Sequence, residues 1–228
     1  MPKIDDLKAA VDTQHPHIVC IVETWLSSEI SDNELAIQDY QVFRLDRNRH
    51  GGGVLMYIHS SLSFKAVLEG PDNLELLVIS VTNSMSTSKY CVGLFYRPPS
   101  SGSQSLDYLY ESLESLHPSY FSNFVLLGDF NTDFCTHSHF LYSRLTNILH
   151  SFSLTQVVEG HTHVSPNGNT SLIDLALISN MSQFQDCETI PPLSNSDHYG
   201  LDLSLNLHIP VTELFGNMIK LTSLRRVT

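Results

Sequence analysis

The stretch NFVLLGDFNTD at 123–133 sets Asp129, Asn131 and Asp133 at the end of an apolar run. A carboxylate at a strand end can hold a metal or orient a water, and a nearby amide can donate to a phosphoryl oxygen. The plainer reading of the same residues is an Asx-rich turn after a core strand, with Asp133 a turn residue and nothing more. Near the other end, NSDHYG at 195–200 joins Asp197 to His198. A carboxylate beside an imidazole suits a metal-and-base pair near neutral pH, and its plain alternative is a polar turn. SLIDLALIS at 171–179 carries one charge, Asp174, among Leu, Ile and Ala. An Asp in such a run is rarely buried without a partner, and a histidine ring N–H would serve while fixing tautomer and orientation. Glu23 directly follows HIVCIV. It either faces water or ligates a hard cation.

Zinc chemistry is suggested only by CxHxH (Cys135, His137, His139) and HxH (His161, His163). Twelve histidines in a polar chain produce such pairs by chance, so neither is assigned a metal. Trp25 either packs under an outer helix or lines a cleft, and the sequence leaves both open.

Elements must hold these residues in place. Apolar positions at Ile4, Leu7 and Val11 predict a short amphipathic helix. Buried strands are predicted at 18–22, at 53–59 after three glycines, at 123–127 and at 172–178. Two more, 76–81 and 91–96, form a hairpin around a turn at 83–89, and Arg97-Pro98-Pro99 stops the second. Helices are predicted at 106–116 and 140–152, and 201–207 alternates as a half-buried strand does. The order is not a regular βαβ series with a glycine-rich dinucleotide loop, and no repeat is present.

With 228 residues, 42% apolar, the chain can bury roughly 70% of its surface around one core. The net charge is −12, and from 101 to 210 Arg144 is the one basic side chain among eleven carboxylates. Such a field repels a phosphate backbone and attracts Mg²⁺ or Mn²⁺. It argues against a general nucleic-acid-binding module and permits a metal-assisted enzyme, because a bound cation reverses the local sign. The four cysteines have no zinc-finger spacing, and Cys20 and Cys91 lie in apolar runs. No signal peptide and no apolar span of 18 residues is present, so a soluble, reducing compartment with no membrane partner is expected. Residues 1–209 read as one domain; 210–228, with Lys220, Arg225 and Arg226, read as a C-terminal tail or degenerate continuation.

Taken in order, PHIVCIVETWL, GGGVLMYI, VGLFYRPP, FVLLGDFN, SLIDLALIS and SDHYG resemble the endonuclease/exonuclease/phosphatase superfamily, specifically the apurinic-type endonuclease domain of non-LTR retrotransposons. The resemblance covers roughly residues 3–207. It implies an α/β (α+β) fold, a four-layer α/β/β/α sandwich of two mixed sheets. It implies a Mg²⁺-dependent endonuclease-like phosphodiesterase acting on double-stranded DNA, with Mn²⁺ as an alternative ion and the nucleus as the family's compartment. Residue by residue, Glu23 matches a metal-binding glutamate and Asp197 a second acidic residue near the metal. Tyr96 matches a tyrosine that contacts the scissile phosphate. Asp129 matches the aspartate that orients or activates water, and Asn131 the asparagine that supports the phosphate. Asp174 matches the partner of the catalytic histidine, His198. A cationic His198, its pKa raised by Asp174, would stabilise the phosphorane, with general-base action as the lesser role. The family also includes phosphatases of small phosphoesters.

The sequence departs from the family at its start. Met1 is followed at once by PKIDDL, so the central first strand and its asparagine are missing. That loss would leave unpaired backbone and exposed core, and it makes a catalytically inactive truncated remnant the competing expectation.

Overall fold

In the computed structural model, residues 4–48, 50–82, 89–206 and 218–225 are described. Side-chain alternation decides what covers each sheet. In β1 (Ile18–Val22) and β3 (Val54–His59), Ile18, Cys20, Val22, Val54, Met56 and Ile58 enter the central core. Their neighbours Val19, Ile21, Leu55 and Tyr57 turn the other way, against Leu7 and Val11 of α1 (Ile4–Gln14). A strand buried on both faces has no polar side, which is why these segments read as continuous apolar runs.

β2 (Tyr40–Leu45) completes one edge of this first sheet. The second sheet begins with β4 (Ser63–Glu69), β5 (Glu75–Thr82) and β6 (Tyr90–Tyr96), followed by α2 (Gln104–Glu114). Then come β7 (Phe124–Asp129), α3 (Phe140–Ser151) and the short β8 (Thr155–Gln156). β9 (His163–Val164) and β10 (Thr170–Ser171) form a small ribbon ahead of β11 (Asp174–Ile178). The chain returns to the first sheet through β12 (Phe184–Ile190), β13 (Gly200–Asn206) and β14 (Met218–Arg225).

Two six-stranded mixed sheets result, ordered β12-β13-β14-β1-β3-β2 and β4-β5-β6-β7-β11-β8. They share one core; α1 covers the first sheet, and Leu106, Leu109, Leu113, Leu145 and Ile148 of α2 and α3 pack with the second. The expected four-layer arrangement is therefore observed. Among the described residues no helix is long and apolar enough to cross a membrane. The expected hairpin turn falls on residues of which 83–88 lie outside those described.

The expected gap at the sheet's centre is absent. Residues 218–225, read from sequence as part of a tail, form β14 between β13 and β1, antiparallel to the first and parallel to the second. Leu221, Thr222, Ser223 and Leu224 are buried there. The physical reason is the one that made a gap costly: an inner strand edge leaves a row of buried N–H and C=O groups without partners. The rest of that tail, 210–217 and 226–228, lies outside the described residues.

Candidate active site

Register alone lines up four polar residues at one end of the second sheet. Glu75 pairs with Tyr96, Tyr96 with Asp129, and Asp129 with Asp174. At the facing end of the first sheet, Glu23 follows β1, His198 precedes β13, and Arg225 ends β14 opposite Val22.

The two rows meet. His198 Nδ1 lies 2.8 Å from Asp174 Oδ2. The Tyr96 hydroxyl donates to Glu23 Oε1, and Trp25 Nε1 and the Gly52 amide donate to Glu23 Oε2. Trp25 thus stands at the cleft. Asn131 folds back on Asp129: its backbone N–H reaches Oδ1 at 2.9 Å, and its side-chain amide reaches Oδ2 at 3.0 Å and the Arg97 carbonyl at 2.8 Å. Asp197 is further out, its Oδ1 4.0 Å from His198 Nε2. All seven residues singled out by the resemblance, Glu23, Tyr96, Asp129, Asn131, Asp174, Asp197 and His198, thus converge. Asp133 does not join them. Its carboxylate accepts from Thr136 Oγ1, Cys135 N and Leu172 N, the work of a turn residue.

The backbone is bent to make this arrangement. Glu23 and Asn131 both sit in the left-handed region, at φ 56° and 43°. Such strain persists only where the surroundings over-determine it. Here the chain after Glu23 is stapled to the glycine run, with Thr24 N and Trp25 N donating to the carbonyls of Gly53 and Gly52. Gly128 lets β7 pass close to β6. A Cβ on it would lie 1.8 Å from the Phe95 carbonyl oxygen.

Burial sets the electrostatics. Asp129 is wholly buried, and burial together with the Asp174 charge pushes its carboxyl up to about 7. Burial pushes Asp174 up to about 7 as well. His198 goes the other way, down to about 4, driven first by burial and then by Arg225 against the pull of Asp129. The expectation of a cationic His198 is therefore corrected. Arg225 Nη1 contacts His198 Nε2. A guanidinium can only donate, so Nε2 accepts, the ring proton sits on Nδ1 facing Asp174, and the imidazole is neutral.

Several members of the centre were not read from sequence. Arg225 belongs to the segment that reads as a tail; its Nη1 lies 3.3 Å from Asp129 Oδ2 and its Nη2 3.8 Å from Glu23 Oε1. His163, half of a pair that chance alone explains in the sequence, has its ring 4.7 Å from that of His198 and Nε2 3.5 Å from Asp197 Oδ2. Thr162 Oγ1 accepts from the backbone N–H of Ile173 and Asp174. Buried Arg97 reaches the Asn131 carbonyl at 3.3 Å, bracing the loop after Asp129.

Among the described residues two groups could coordinate a divalent metal: His163, Asp197 and His198, and Asp129, Asp174 and His198, with donor atoms within 4.8 Å of one another in each group. The residues fit such an ion. The second group offers two hard carboxylate oxygens, and the first pairs one carboxylate with two imidazoles, donors that a divalent ion accepts.

A family described as endonuclease-reverse transcriptase matches residues 90–201, the span from β6 through Asp129, Asp174 and His198 to the start of β13. No curated protein matches the chain in sequence. Solved structures share its fold. The endonuclease domain of TRAS1, a telomere-specific non-LTR retrotransposon, superposes with a TM-score of 0.72 at 14% identity, over 90% of this chain and 93% of that one. An AP endonuclease from Archaeoglobus fulgidus gives 0.65 at 18% identity, over 90% and 94%. The 3′ phosphatase NExo from Neisseria, bound to a product DNA hairpin, gives 0.65 at 17% identity over the same shares. With the matched motifs carried on this two-sheet scaffold, the chain belongs to the endonuclease/exonuclease/phosphatase superfamily.

Proposed function

We propose that this protein hydrolyses DNA phosphodiester bonds in a reaction dependent on a divalent metal, Mg²⁺ or Mn²⁺. The observation that carries this reading is the meeting of the Asp174–His198 pair with the Asn131-held carboxylate of Asp129 at the ends of two sheets. Hydrolysis needs an oriented water, charge relief on the non-bridging oxygens and help for the leaving oxygen. Asp129 orients the water and accepts its proton, for which a carboxyl near 7 is well matched. Asn131 fixes the Asp129 carboxylate and supports the phosphate. The Asp174 carboxylate holds the His198 ring by Nδ1, which leaves Nε2 a lone-pair acceptor able to hold the attacking water beside Asp129. Tyr96 positions Glu23. Glu23 and Asp197 would hold the metal, which would supply Lewis-acid charge relief on the phosphate when bound.

Double-stranded DNA is the proposed partner and an intracellular, nuclear setting the proposed compartment; both follow from the sequence resemblance, and the match to an endonuclease-reverse transcriptase family supports a DNA-acting role. The competing reading, an inactive centre, is favoured by one observation: Arg225 already contacts Asp129 and His198. The test is nicking of supercoiled plasmid in Mg²⁺ by wild type, Asp129→Ala and His198→Ala. Nicking by wild type and a loss of at least about 100-fold in both variants is expected. Equal activity in all three would sink the assignment. Cleavage of small phosphoesters with plasmid left intact would favour the phosphatase reading.

A further inference from the structure

Arg225 reaches the centre because β14 is locked between two strands. Parallel pairing sets it beside Val22 and the turn that carries Glu23, and pairing of Leu201 with Ser223 sets it across from the approach to β13 that carries His198. Its guanidinium touches three of the groups on which the proposed chemistry depends: Glu23 Oε1, Asp129 Oδ2 and His198 Nε2. The neighbouring Arg97 does not compete for this place, since its donors go to Ser105 Oγ and the carbonyls of Ser101, Gly102 and Asn131.

These contacts are with acceptor atoms that a hard cation would also use. A guanidinium and a divalent ion held by the same carboxylates would stand a few ångströms apart in a partly buried site, where like charges repel strongly. The contact with Nε2 also occupies the one imidazole nitrogen that Asp174 leaves over. We propose that Arg225 is a built-in cation plug: a divalent metal binds this centre only by displacing the guanidinium from Asp129 and His198. The centre then has two states, one closed by Arg225 of β14 and one open to metal. The inference rests on the reading that the centre takes a divalent metal, but not on any reaction there.

Calorimetric titration of the 228-residue chain with Mn²⁺, for wild type and Arg225→Gln, tests it directly. At least tenfold tighter binding by Arg225→Gln is expected. Equal or weaker binding, or no binding by either protein, would overturn the proposal. Titration of Mg²⁺ into wild type, followed by NMR of the Arg225 guanidinium and His198 imidazole nitrogens, needs no folded variant. Both sets should shift together with one apparent Kd, and saturation that leaves Arg225 unmoved would also overturn it. Tighter metal binding by Arg225→Gln with no plasmid nicking by any variant would uphold the plug and sink the nuclease reading. Nicking by wild type with unchanged metal affinity in Arg225→Gln would do the reverse.

Discussion

Asp129 and Asp174 face each other across antiparallel β7 and β11, a placement of like charges that sheets ordinarily avoid. Its cost has a pH signature. Both carboxyls are raised from 3.8 to about 7, so the folded state binds their protons more tightly than the unfolded chain does. That stabilisation is fully present below pH 3.8 and is lost as pH rises through about 7. Asp129→Asn removes one such group. Its melting temperature in EDTA should therefore gain on wild type by several degrees between pH 5 and pH 8, measured by thermal unfolding; a gap that shrinks as pH rises would contradict the assignment. Asp174→Asn tests the coupling between the two. Without the Asp174 charge, the Asp129 pKa falls, and the acidic limb of the pH–activity profile should move to lower pH. The GDFN, LIDLALI and SDH segments could be read because each puts a polar group against an apolar run, a local anomaly visible in one dimension. Arg225 could not, because an arginine near a polar tail has an ordinary solvated explanation and its place in the site depends entirely on strand pairing.

The strands that went unrecognised in the sequence share a cause. β2 and β12 are the edges of the first sheet, and β4 and β8 the edges of the second. Edge strands are half solvated, so FKAVLE in β4 or FQDCETI in β12 lacks the continuous apolar run that betrays β1, β6 and β7. β14 is the harder case, an inner strand that buries Thr222 and Ser223 beside Leu221 and Leu224 and so hides its position. If it is part of the fold, Leu221→Ala should cost about 2–5 kcal/mol, like any buried leucine. A change below about 0.5 kcal/mol in urea unfolding, as for a surface position, would return 218–225 to the status of an appendage. Gly128→Ala should be more damaging than its size suggests. The backbone strain alone is worth about 1–3 kcal/mol, and the added methyl collides with the Phe95 carbonyl, so parallel pairing of β6 and β7 must loosen beside Asp129. Stability and nicking should fall together in that variant, whereas Asp129→Ala removes activity without loosening the β6–β7 pairing.

At the scale of the molecule the problem is sign. A chain of net charge −12, with 12 Lys and Arg against 24 Asp and Glu, has little with which to track a phosphate backbone. The sandwich concentrates Glu23, Asp129, Asp174 and Asp197 at one end, and burial of the first three raises the cost of leaving their charges uncompensated. DNA binding should therefore depend on the cation that enters the site more than on a basic surface. With His198→Ala, which is expected to bind duplex without cutting it, affinity should drop at least about tenfold when Mg²⁺ is replaced by EDTA. Its salt dependence in Mg²⁺ should be shallow, with a log–log slope of about −1 to −3, corresponding to one to three neutralised phosphates. A slope near about −6, or binding indifferent to EDTA, would reveal an extended basic interface. The protein would then be recruited to DNA by its surface and not by its metal, and the composition argument against a general nucleic-acid binder would fail.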